Sequence, residues 1–128
     1  MSVDQTNRRP TDTDAQMRLR DAVMMDLSRV TDLNTAELSR LTIRDVNLDA
    51  GCLQVHGSTG TRAIMLGPVT RTRLRQYIRY FRPEIGPCKD DDALFISVID
   101  GEPMTPTHIR KTIEHHNRQK GRQHAPNP

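Results

Sequence analysis

The sequence predicts an α+β fold, mostly helical with a small three-stranded antiparallel sheet. Three observations carry that expectation. Leu19, Val23, Leu27 and Val30 recur at helical spacing. Two short runs, 52–56 and 63–66, flank the turn-forming stretch Gly57-Ser58-Thr59-Gly60-Thr61. A third short apolar run, 94–98, ends at Asp100-Gly101 and supplies the third strand.

Taken in order, residues 1–12 show no periodicity and read as a flexible tail. Thr13 or Asp14 can cap the first helix, whose apolar stripe Met24 widens. Thr31-Asp32-Leu33 ends it. Asn34 then caps a second helix, with Glu37 three residues on able to reach back to the Asn34 amide. Leu38, Leu41 and Ile43 face the core, and the turn-rich residues 45–51 close the unit. A hairpin of about five loop residues joins the two strands.

Pro68 at a first helical position opens a helix over 68–81, with Pro83 as its stop. Val69, Leu74, Tyr77, Ile78 and Phe81 form its inner face. Arg71, Arg75, Arg79 and Arg82 form an outer stripe, and like charges in line repel unless an anion lies along them. Residues 83–92 are a loop. Thr105 caps a last helix, with Pro106 first and His108 third. Ile109 and Ile113 are its buried side, Arg110, Lys111 and Arg118 its outer side, and Gly121 its C-cap. Residues 13–121 make one domain, and 122–128 a second flexible tail.

Composition narrows the functional classes. At 128 residues and 34% hydrophobic, with a mean hydropathy of −0.68 and no Trp, the chain holds one modest core. It has no run of the roughly 20 apolar residues that span a bilayer and no apolar signal-peptide segment, so a cytoplasmic protein is expected. Cys52 and Cys88 lack partners at metal-ligand spacing and read as small buried hydrophobes. No metal, cofactor or small-molecule substrate is expected. The net charge of +3 is unevenly spread. Residues 62–82 hold six arginines and no acid, whereas acids gather in 4–14 and in Lys89-Asp90-Asp91-Asp92. A segregated basic face is the footprint of a phosphate-backbone binder.

The order of the motifs adds a resemblance. Thr31-Asp32-Leu33-Asn34-Thr35-Ala36-Glu37-Leu38 is similar to a T-G-L-R-x-S-E-L segment. Leu41, Ile43, Asp45, Val46, Leu53 and Val55 stand in register with L-x-W-x-D-I-D followed by I-x-V. Arg62, Ile64 and Leu66 before Pro68 resemble an R-x-V-P-L return strand. Leu94-Phe95-Ile96-Ser97 and Gly101-Glu102-Pro103-Met104-Thr105 resemble L-F-x-S and G-x-P-M-T. Together, over about residues 20–120, they resemble the first half of the catalytic domain of tyrosine recombinases, the phage-integrase family.

The resemblance implies an activity and places its parts. The family cleaves DNA by attack of a tyrosine hydroxyl on a phosphodiester, and cationic groups stabilise the charge that develops. The first arginine falls at Asn34, a degenerate position. The hairpin lysine has no counterpart in Ser58-Thr59-Gly60-Thr61. The H-x-x-R segment and terminal tyrosine of the pattern would follow residue 120, and an amino-terminal clamp domain would precede residue 17. His115-His116-Asn117-Arg118 has the H-x-x-R spacing but lies within the preceding helix. Tyr77 and Tyr80 read as packing residues.

The expectation is therefore a truncated, non-catalytic, DNA-binding member associated with DNA integration, recombination and mobile elements. Its phosphate contacts would be Arg62, Arg71, Arg75, Arg79, Arg110, Lys111 and Arg118, with no catalytic residue and no metal ligand. Other readings are half of a split recombinase completed in trans, a regulator of a full-length recombinase or of transcription, and a decayed gene fragment. Self-association or a partner would cover any exposed core.

Overall fold

The computed structural model describes residues 13–30, 32–85, 89 and 92–124, the side chains of residues 30, 84 and 120–124 excepted. Both predicted tails lie largely outside these bounds, as does Cys88. Helix α1, Thr13–Val30, buries Val23, Met24 and Leu27 completely. The short helix α2, Thr35–Arg40, is held by the expected capping box. Asn34 Oδ1 accepts the Glu37 N–H at 2.8 Å, and Glu37 Oε1 accepts the Asn34 N–H at 3.2 Å. Six residues cannot stand as a helix alone; this cap, worth about 1 kcal/mol, and the burial of Leu38 and Leu41 hold it.

A 3-10 turn, Ile43–Asp45, leads into β1, Val46–Asn47. Strands β2, Cys52–Gly57, and β3, Gly60–Met65, follow, and all three pair antiparallel in the order β1-β2-β3. Val46 faces Leu53, which in turn faces Ile64. Leu53 and Val55 are fully buried, worth about 1.5–3 kcal/mol each. Cys52, at the start of β2, is only partly buried. Pairing continues to Gly57 and Gly60, so the hairpin turns on Ser58 and Thr59 rather than on five residues.

The third strand is not the one read from the sequence. Residues 94–98 form no strand in this sheet; the third strand is the two-residue β1. Leu94, Phe95 and Ile96 are buried in succession, without the alternation of a half-exposed strand. Their carbonyls, and that of Ala93 just before them, are taken by other donors. Arg82 donates to Ala93 O at 2.6 Å, Tyr77 to Leu94 O at 2.8 Å, Arg20 to Ile96 O at 3.2 Å, and the Met104 N–H to Phe95 O. The segment is threaded through the core and spot-welded there by side chains.

Helix α3, Pro68–Gln76, does not stop at Pro83. It widens into a π-turn, Tyr77–Phe81, and continues as α4, Arg82–Ile85. The Arg82 N–H reaches back to Tyr77 O, five residues away. A proline lacks the N–H and crowds the carbonyl four residues back; the wider turn just ahead of Pro83 relieves both demands. The inner face is Leu74 and Tyr77, with Ile78 and Phe81 packed against the core, while Val69 is exposed rather than buried.

Helix α5, Pro106–His124, begins where expected, with Thr105 Oγ1 accepting the His108 N–H at 3.1 Å. It runs through Gly121 instead of capping there. Ile109 is buried and Ile113 packs on the same core.

Candidate nucleic-acid interface

Strand pairing decides the fate of Arg62. Directly paired residues share a sheet face, so Arg62 lies on the face of its partner Val55, toward α2. Its guanidinium meets the Glu37 carboxylate at 3.0 and 3.4 Å. Gly57 makes the approach possible, since a Cβ there would stand 2.7 Å from Glu37 Oε2. The Arg62 hydrogen bond and the Asn34 amide hold the Glu37 carboxyl below its ordinary pKa, and the same carboxylate raises that of Arg62. Asn34, Glu37 and Arg62 thus form a closed corner in which every charge has a partner.

The predicted arginine stripe on α3 breaks up in a similar way. The Arg71 side chain donates to Asp49 O at 2.8 Å and lies against Gly51, whose φ of +70° and missing Cβ let it approach. Its Nε is buried without a hydrogen bond among the described residues. Arg73, outside the predicted stripe, clasps Asp26 of α1 at 2.7 and 2.9 Å. Arg82, expected on the outer face, is 2% exposed. The extra residue of the π-turn carries it round to the core side. Arg75 and Arg79 remain, without an ion pair among the described residues. Arg79 shares with Arg44 a groove of about 320 Å³ over β1 and the start of the turn that follows it.

On α5, Arg110, Lys111 and Arg118 are exposed as predicted. Glu114 stands 3.8 Å from Arg110, an exposed pair of small energetic weight. His115 and Arg118, the two ends of the H-x-x-R spacing, lie on this exposed surface. The neighbouring His116 is pinned instead, its Nε2 2.8 Å from Asp21 of α1. Tyr77 is wholly buried; burial pushes its phenol above the ordinary range, and its hydroxyl is engaged by Leu94 O. Tyr80 is about half exposed.

Sequence reasoning missed three polar constellations. They are Arg20-Asp21-His116, the Arg73–Asp26 clasp, and Asp45, whose carboxylate caps Thr42 and meets His56 at 3.0 Å. Asp45 carries a local signal, since it stands three residues after a Thr at a helix start. Asp21 and His116 are 95 residues apart, and no spacing rule connects them. Among the described residues no group of three His, Cys, Asp or Glu is placed to hold a metal. No described helix is long and apolar enough to cross a membrane.

Helices packed on an antiparallel hairpin, with basic side chains left open on two of them, define an integrase-like fold. The chain matches the phage integrase family over residues 3–128 and belongs to that family. It is 33% identical to the tyrosine recombinase XerD of Proteus mirabilis over 104 residues, covering 80% of this chain and 33% of that one. It is 32% identical to XerD of Pseudomonas aeruginosa over 106 residues, covering 82% of this chain and 35% of the other. The chain therefore spans about a third of the length of these relatives. The crystal structure of XerA recombinase superposes with a TM-score of 0.65 at 24% identity, over 90% of this chain and 44% of that one, which shows the shared fold.

Proposed function

We propose that this chain is a DNA-binding protein of the integrase family that does not cleave DNA by itself. The observation that carries the binding half is the set of exposed cations Arg79, Lys111 and Arg118, with Arg110 and the partly exposed Arg75, on a recombinase scaffold. Phosphate neutralisation by such side chains releases counterions and makes affinity fall steeply with salt. Arg62 and Arg71, occupied by Glu37 and Asp49, contribute little.

The non-cleaving half rests on residues inside the chain. Asn34 brings no charge where the family pattern has arginine, and its side chain is committed to the α2 cap. The hairpin turn offers Ser58 and Thr59 where the pattern has lysine. Loss of a single charge-stabilising donor typically costs about a hundredfold or more in rate. Binding to a short duplex, titrated with salt, tests the first half: a steep decline supports it, and negligible binding at low salt overturns it. A covalent phosphotyrosyl adduct with duplex, formed by the purified chain, overturns the second. Asn34→Arg is expected to leave the adduct undetectable.

A further inference from the structure

A second polar feature lies apart from the hairpin and α3. Helices α1 and α5 border a groove of about 360 Å³, and no residue of β2, β3 or α3 lines it. Its base is electrically closed. Asp21 is buried, with Arg20 at 2.8 Å on one oxygen and His116 at 2.8 Å on the other. Above that base stand Arg18 from α1 and His108, Lys111 and His115 from α5, all four exposed.

The charges do not balance. Among the described residues the one carboxylate lining the groove, Asp21, already has two partners, one of them a permanent guanidinium. Arg18 and Lys111 make no ion pair among the described residues. Two permanent positive charges therefore face one concavity, and two imidazoles beside them can donate from a ring nitrogen. Such donors give short, charge-assisted hydrogen bonds to phosphate oxygens.

The geometry points to a phosphate-binding site between α1 and α5, in which Arg18 and Lys111 supply the charge and His108 and His115 complete the donor set. The ligand class is a phosphate group, carried either on a nucleic-acid backbone or on a free phosphorylated compound. The site shares Lys111 with the duplex-binding reading above but uses none of Arg75, Arg79 or Arg118, and binding of free phosphate can succeed where binding of a duplex fails.

The test follows the imidazole resonances of the intact chain by NMR at constant pH and ionic strength. Inorganic phosphate is expected to shift His108 and His115 saturably, with a dissociation constant on the order of 1 mM; matched chloride is not. The double variant Arg18→Gln with Lys111→Gln, at exposed positions that leave thermal unfolding unchanged, is expected to abolish the shift. Equal shifts with chloride, failure to saturate, or undiminished shifts in the folded variant would overturn the site. A short duplex then distinguishes the sources. If it displaces phosphate, the site reads backbone phosphate; if phosphate stays bound, it reads a free phosphorylated compound.

Discussion

The corner where α2 meets the hairpin and the outer edge of α5 carry the same kind of charge in opposite circumstances. At the corner, Arg62 lies on Glu37, Glu37 on the Asn34 amide, and Gly57 clears space for the contact. On α5, Lys111 and Arg118 extend into solvent with no carboxylate against them among the described residues. The first arrangement uses its charge to hold two elements together. The second keeps it available to an outside anion. What an arginine does in this fold is set by what reaches its guanidinium first.

Breaking a closed arginine should produce the largest effect. Arg82→Ala removes buried donors from Ala93 O and leaves a cavity, so a loss of about 3 kcal/mol is expected in urea unfolding. Arg79→Ala, three residues earlier and exposed, should stay within about 0.5 kcal/mol. Equal losses would mean that the two arginines are not in different settings.

Duplex affinity should show the reverse order. Replacing Arg110, Lys111 and Arg118 together by Gln is expected to weaken binding at low salt roughly a hundredfold. The salt slope should flatten by about one for each phosphate no longer neutralised. Arg62→Gln should change affinity by no more than about twofold, because its charge is already matched by Glu37. A fluorescence-anisotropy titration at several salt concentrations separates the two.

Smaller effects sharpen the corner itself. Asn34→Ala should cost about 1 kcal/mol in urea unfolding through loss of the α2 cap. The acid side of the stability curve should report Glu37. Its folded pKa is depressed below 4.5, so its contribution is present above that ordinary value and is lost as pH falls through the folded one. Glu37→Gln should remove that part of the slope, measured as unfolding midpoints between about pH 5 and pH 2.

Much of the fold was legible because its signals are local. The apolar stripe of α1, the Asn34–Glu37 box, Pro68 and Thr105-Pro106 each act within one or two helical turns, and each appears at the expected place. The hairpin was legible for the same reason, from alternation and a glycine-containing turn. The segment 94–98 was not. It has strand composition, but its carbonyls and that of Ala93 are claimed by Arg20, Tyr77 and Arg82, whose positions depend on other helices.

The order of residues was enough to reveal the family, the starts of the helices after Asn34, at Pro68 and after Thr105, and the uneven distribution of arginine. Which arginines are free was left to packing, because a guanidinium is claimed by whichever carboxylate or carbonyl folding brings within about 3 Å. The π-turn ahead of Pro83 turned Arg82 inward, strand register turned Arg62 toward Glu37, and the packing of α1 on α5 joined Asp21 to His116. The partners in the last two cases lie far apart along the chain, and spacing does not encode such meetings.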